Sequence, residues 1–282
     1  MKDYKLIAFD MDGTLLTSDN TISAPVQAAL ERAIDRGKTV LICTGRCYHE
    51  LMDYDQREFK KVRYYVCENG ALVYDSIKQE VISATCIPEK LVHYILDLAE
   101  PEDAMVYLAS NGQNMVNRED ALRMEYFHAE RYKDIELRSA ILHEDIIKSY
   151  REHPVPVEKM NLYSATTGIR DRFYESLKDL PLSVVFAEET GLEIMSPNMS
   201  KASGILKLCE YLKIPLEETI AVGDSDNDIE MLQAAGLAVA MGNARACVKE
   251  VCDIEVSDND HDGCAEVINQ YLLKEKIPAL SG

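Results

Sequence analysis

The 282-residue sequence lacks an apolar run approaching the roughly 18–20 residues that cross a bilayer, so no membrane-spanning helix is expected. Residues 1–9 hold no signal-peptide arrangement, because no long apolar stretch follows Lys2 and Lys5. The eight cysteines form no C-x-x-C pair, and several lie inside apolar runs. Reduced, mostly buried thiols in a cytoplasmic protein are the expectation. Basic residues are scarce beside acidic ones, 30 against 49, for a net charge of −19. That balance opposes a nucleic-acid partner, since such binding begins by neutralising phosphates with Lys and Arg. No G-x-x-x-x-G-K-[ST] or G-x-G-x-x-G loop occurs, nor any internal repeat or low-complexity tract.

What is present is globular: 47% hydrophobic and 28% charged residues, enough for one large domain or two modest ones. The first third alternates strand and helix. "LIAF" is a short continuous apolar run, as a strand buried on both faces should be. "SAPVQAALERAIDRG" reads as a helix, with Ser23 as N-cap, Pro25 in the first turn and Gly37 as the stop. "TVLICTG" and "VRYYVCENG" follow as strands, and the last third repeats the rhythm from "SKASGILKLCEYLKI" onward. The pattern predicts an α/β core with a doubly wound, Rossmann-like parallel sheet. The stretch between mixes helices with alternating strands such as "AMVYLAS" and "KMNLYSA". It is expected to be an inserted α+β cap spanning 87–191, with the core built from 1–86 and 192–282.

Three buried strands run into polar groups. "LIAFDMDGTLL" ends in Asp10 and Asp12, followed by Gly13 and Thr14. Residues two apart on a strand face one side, roughly 6–7 Å apart. At an effective dielectric near 20, two charges at that spacing repel by roughly 2–3 kcal/mol. A cation must relieve this, or one acid must stay protonated. "LICTGR" ends in Thr44, Gly45 and Arg46, a hydroxyl and backbone N–H groups suited to a phosphate oxygen. "TIAVGDSDNDIEML" ends in Asp224, Asp226 and Asp228 with Ser225 and Asn227 between, a carboxylate set suited to a hard divalent cation. Lys201 opens a helix behind a cap at Ser200, where a cation is mildly unfavourable unless an anion shares the site. "DNDHDG", residues 258–263, opens like an EF-hand loop, but Asn269 stands where a bidentate Glu is needed, so no calcium is expected there.

In that order these segments resemble the four motifs of the haloacid dehalogenase superfamily, and more narrowly its Cof-type sugar-phosphate phosphatases with a large α/β cap. "FDMDGTLL", "TGR", the Lys of "SKASG" and "GDSDND" carry the likeness, with "ENGA" at 68–71 similar to the segment before the cap. The resemblance implies an Asp10 nucleophile forming an aspartyl-phosphate and an Asp12 general acid/base. It implies Mg²⁺ held by Asp10, the backbone carbonyl of Asp12 and Asp224, with Ser225 nearby. Thr44, Gly45, Lys201 and Asn227 would hold the phosphoryl oxygens, and Asp228 would orient Lys201 or the metal shell. The implied partner is a small phosphorylated metabolite, with oligomeric state left open. A phosphomutase is the alternative, with Arg170 and Arg172, or Arg118 and Arg123, as a second phosphate site. A non-catalytic phosphate- or metal-binding protein on the same fold is the other. Tyr107, Asn111, Asn114, Tyr163 and the segment after Glu188 are the cap candidates for contacting the leaving group.

Overall fold

The computed structural model describes residues 2–55, 59 and 61–275. Among these, fourteen strands form two sheets. In chain order they are β1 (Leu6–Asp10), β2 (Thr39–Cys43), β3 (Tyr64–Cys67), β4 (Leu72–Asp75), β5 (Glu80–Ala84), β6 (Ala104–Ser110) and β7 (Gln113–Asn117). Then come β8 (Ile141–His143), β9 (Lys159–Ser164), β10 (Ser183–Ala187), β11 (Gly191–Met195), β12 (Thr219–Gly223), β13 (Leu237–Ala240) and β14 (Ile254–Glu255). The chain divides into two compact units: residues 1–45, 53–82 and 200–282, and residues 46–52 with 83–199.

The first unit is built on the sheet ordered β14-β13-β12-β1-β2-β3-β4-β5. Every pair from β14 to β3 is parallel, and β4 returns antiparallel to β3. Residues of β1, β2, β3 and β12 are almost all buried, which explains their unbroken apolar runs. The order places β1 beside both β2 and β12, so three strand ends bearing polar groups emerge side by side. Helix α1 (Ala24–Asp35) starts where expected: Ser23 Oγ accepts from Val26 N at 3.4 Å, and Gly37 takes φ 76° just beyond the end.

The second unit carries the sheet ordered β10-β11-β9-β6-β7-β8. Its helices α2 (Glu89–Ala99) and α3 (Thr167–Leu177) bury Val92, Ile95, Leu96, Phe173 and Leu177 against Leu108, Met160, Leu162 and Ile194. β11 runs antiparallel to both β9 and β10. A return to the core at 192 would sever that strand from its neighbours, and the chain leaves this unit only after Met199. The seven residues 46–52, expected in the core, also belong to this second unit. His49 N donates to Gly112 O at 2.9 Å there.

One buried acid in this unit sets a pH dependence. Glu158 is fully buried and accepts from Asn111 N at 2.9 and 3.1 Å, in a turn where Asn111 and Gly112 have φ 51° and 76°. Burial pushes its carboxyl up to about 7, against the pull of the Asn111 N–H. The folded state therefore keeps a proton that the unfolded chain, with an ordinary Glu near 4.5, releases first. The contribution to stability is present below the unfolded value and is lost as pH rises through the folded one. Urea unfolding across this range should show Glu158→Gln flattening the profile, by at most about 3 kcal/mol between its ends.

Candidate active site

β1 ends at Asp10, and the chain then turns: Asp12 has φ −80° and ψ 116°, and Gly13 has φ 81°. The two acids therefore do not continue one strand face. Asp10 is 5% exposed, whereas Asp12 is exposed in the turn. A Cβ on Gly13 would meet Asp224 Oδ2 at 2.6 Å, so this turn needs glycine for space as well as for φ. Asn243 Nδ2 donates to the Gly13 carbonyl at 2.7 Å, and Cys264 Sγ to that of Thr14 at 3.3 Å.

Helix α4 (Lys201–Leu212) begins at the capping residue Ser200, whose hydroxyl accepts from Ser203 N. Lys201, its first residue, is 1% exposed. Its ammonium donates to Asp10 Oδ1 and, at 2.7 Å, to Asp228 Oδ1. Asp228 is itself fixed: Oδ2 accepts from Asp224 N and Ser225 N, each at 3.0 Å. Asp224 Oδ1 accepts from Thr14 Oγ1 at 2.9 Å. Ser225 Oγ donates to Asn227 Oδ1 at 2.7 Å, so this pair lies at the exposed rim of the same turn.

Asp10, Asp224 and Asp228 each present an oxygen within 4.8 Å of the others. The Asp12 carboxylate is outside this group. Burial pushes the Asp10 carboxyl up to about 8, opposed by Lys201 and reinforced by Asp228 and Asp224. Burial likewise raises Asp224, against the Thr14 hydroxyl. For Lys201 burial acts downward, and the two carboxylates outweigh it and hold the ammonium above its ordinary value. Three carboxylates against one ammonium leave an excess of negative charge in a buried place. A hard dication with carboxylate ligands offsets such an excess. The donor set is all oxygen, so it suits a hard divalent cation and not a thiolate- or imidazole-seeking metal.

The second polar strand end lies on the neighbouring strand. Asp10 pairs in register with Cys43, which directly precedes Thr44. Thr44 is 1% exposed; its N donates to Val66 O at 2.8 Å, and its carbonyl accepts from Asn69 N at 3.1 Å. Sequence reasoning did not foresee Thr14 bonding Asp224, Asn243 bonding the Gly13 carbonyl, or Asn69 bonding Thr44. All three are contacts between segments far apart in the chain, and local pattern carries no signal for them.

The acidic run at 258–263 is occupied with structure. Asp260 accepts from Ser18 N and Oγ at 2.8 and 2.6 Å, Asp258 from His261 Nδ1 at 2.6 Å, and Asp262 from Ser23 Oγ at 2.5 Å. The eight cysteines are all free thiols. No helix among the described residues is long and apolar enough to cross a membrane.

Residues 7–268 match the family described as haloacid dehalogenase-like hydrolase. A Bacillus subtilis phosphatase, YwpJ, is 31% identical over 288 residues, covering 95% of this chain and 100% of the relative. A second B. subtilis protein, the 5-amino-6-(5-phospho-D-ribitylamino)uracil phosphatase YitU, is 31% identical and covers 95% and 97%. Among solved structures, a haloacid dehalogenase-like hydrolase from Bacteroides thetaiotaomicron superposes with a TM-score of 0.83 at 25% identity, covering 95% and 99%.

Proposed function

The chain belongs to the haloacid dehalogenase-like hydrolase family, a phosphoric monoester hydrolase on that fold, and we propose that it is a Mg²⁺-dependent, cytoplasmic phosphatase of small phosphorylated metabolites, sugar phosphates first among them, working through an aspartyl-phosphate. The observation that carries the mechanism is Lys201, buried between Asp10 and Asp228. A buried ammonium held by a carboxylate at a strand end is a costly arrangement, and phosphoryl transfer gives it a use.

In this reading Asp10, which Lys201 and a bound dication together would keep ionised against its burial, attacks phosphorus. The bond from its oxygen to phosphorus forms as the bond to the leaving oxygen breaks, and Asp12 gives that oxygen its proton. Asp12 then takes a proton from water, whose oxygen displaces the Asp10 carboxylate and releases inorganic phosphate. Thr44, Gly45, Lys201 and Asn227 hold the phosphoryl oxygens, while Asp228 and Ser225 keep Lys201 and the Asp224 loop in place. Asp10, Asp224 and the Asp12 carbonyl would hold Mg²⁺, which supplies positive charge to the transferring phosphoryl group. The named substrate of the relative YitU contains a phosphorylated ribityl chain, which supports a phosphorylated polyol or sugar as the class. The net charge of −19 supports a small-molecule partner over nucleic acid.

The mutase alternative finds little support in the cap. Arg170 is paired with Asp171 at 2.6 Å and Arg172 with Glu102 at 2.6 Å. Arg118 faces Glu144 at 3.8 Å and Arg123 binds Asp120 at 3.1 Å. Each arginine lies beside a carboxylate, whose charge offsets the attraction it would exert on a second phosphate.

A panel of phosphorylated metabolites, assayed with Mg²⁺ and with EDTA, tests the proposal. Phosphate release from at least one sugar or polyol phosphate, abolished by EDTA and restored by Mg²⁺, is the expected outcome. Isomerised hexose phosphate without net release would sink the phosphatase reading. A second readout needs no substrate: Mg²⁺ should raise the thermal midpoint of the wild-type protein, and Asp224→Asn should lose most of that rise.

A further inference from the structure

Between β3 and β4 three consecutive residues take left-handed backbone: Glu68 at φ 55°, Asn69 at φ 50° and Gly70 at φ 97°. Asn and Gly tolerate this region, whereas Glu rarely enters it, so the turn is held by its surroundings. Those surroundings are the two candidate phosphate-holding segments. A Cβ on Gly70 would lie 1.9 Å from the carbonyl of Ser200, the cap of helix α4. A Cβ on Gly204, in that helix, would come within 3.0 Å of Gly70 Cα. On the other side, Asn69 N donates to the Thr44 carbonyl at 3.1 Å. A Cβ on Gly45 would meet Asn69 Oδ1 at 3.1 Å and Nδ2 at 3.4 Å.

Resting on the phosphatase reading above, we propose that Asn69 is a positioning residue for the phosphate-binding turn, setting the direction of the Gly45 N–H. The Thr44 carbonyl and the Gly45 N–H belong to one planar trans peptide, so they point opposite ways. Fixing the carbonyl on the Asn69 backbone therefore directs the Gly45 N–H away from the β3–β4 turn. The Asn69 carboxamide lies against the face of Gly45 where a Cβ would stand, so it limits how far that residue can shift toward the β3–β4 turn. Glycine at 45 and asparagine at 69 are complementary in size: one leaves the space that the other fills. The left-handed run also brings Gly70 against the first turn of α4, so one turn sets both Thr44–Gly45 and the start of the Lys201 helix.

A merely structural role, permitting the left-handed turn, is separated by Asn69→Gly, which keeps the backbone freedom and removes the carboxamide. The folded variant should bind inorganic phosphate about tenfold more weakly by calorimetry, with KM for an aryl phosphate rising more than kcat falls. Gly45→Ala alone should be more damaging, because its Cβ meets the carboxamide. Adding Asn69→Gly should relieve it, so the two effects do not multiply. Wild-type phosphate affinity and KM in Asn69→Gly, or effects that multiply in the double variant, would overturn the proposal. If the wild-type protein hydrolyses the ester and Asn69→Gly is unaltered, this inference fails and the phosphatase reading stands. If the wild-type protein hydrolyses no monoester while phosphate binding still weakens in Asn69→Gly, the phosphatase reading fails and the positioning role stands.

Discussion

Asp10→Asn is expected to lower turnover of an aryl phosphate by at least roughly a thousandfold while leaving the protein folded. The amide keeps the shape of the carboxylate and fits the same buried strand end, so β1 and its neighbours lose no packing. Lys201 keeps its contact with Asp228 at 2.7 Å, so the ammonium is not stranded. The substitution also removes one of three crowded acids, in a place where burial already pushes Asp10 up to about 8. Unfolding by urea should therefore show stability equal to or above the wild-type value in EDTA. Turnover within a few-fold of wild type would rule out Asp10 as the nucleophile.

Lys201→Met is expected to cost both activity and stability, and the second loss should depend on pH. The side chain is 1% exposed and holds two carboxylates, so its removal leaves buried acids with no cation between them. Breaking a buried pair in this way costs about 3–5 kcal/mol. The sign of the pH dependence follows from Asp10. Its folded value is already raised above the ordinary 3.8, and loss of Lys201, which pulls it down, raises it further. The folded variant then keeps a proton that the unfolded chain releases first. Its stability is greatest at acid pH and falls as pH rises through the folded value, more steeply and further than in wild type. Urea unfolding at about pH 5 and about pH 9 measures this, and an equal loss at both would contradict the assignment. Mg²⁺ should recover part of the loss at the higher pH, since a dication compensates the same carboxylates.

The parts legible in the sequence were those with a local physical signature. Apolar runs marked β1, β2, β3 and β12, and β1, β2 and β12 ended in polar groups that a buried strand does not otherwise carry. Ser23 and Ser200 marked their helix starts through capping chemistry that operates within three residues. The fold class followed from the alternation of strand and helix, and the family from four short motifs in order. What local pattern left out depends on which segments meet. Asp10 and Asp12 looked equivalent as strand neighbours, but the strand stops at Asp10, so one acid is buried with Lys201 and the other faces solvent in the turn. Asp228 was expected to orient Lys201 or the metal shell only through the family resemblance; local pattern carries no sign that it is buried and joins Asp10 around the same ammonium. The strand Gly191–Met195 carries no sharp boundary signal, and only its pairing with β9 and β10 assigns it to the second unit. Residues 46–52 follow directly from the Thr44–Gly45 turn, so nothing in their composition announces that they belong elsewhere.

The claim on which the rest depends is that phosphate passes through a covalent bond to the protein. The stereochemical course at phosphorus tests it without requiring an intermediate to accumulate. A phosphate monoester made chiral with oxygen isotopes would be turned over with an acceptor alcohol, and the configuration of the transferred group read by NMR. Two in-line displacements, first by Asp10 and then by the acceptor, predict net retention. Net inversion would mean a single direct displacement and would contradict the aspartyl-phosphate account.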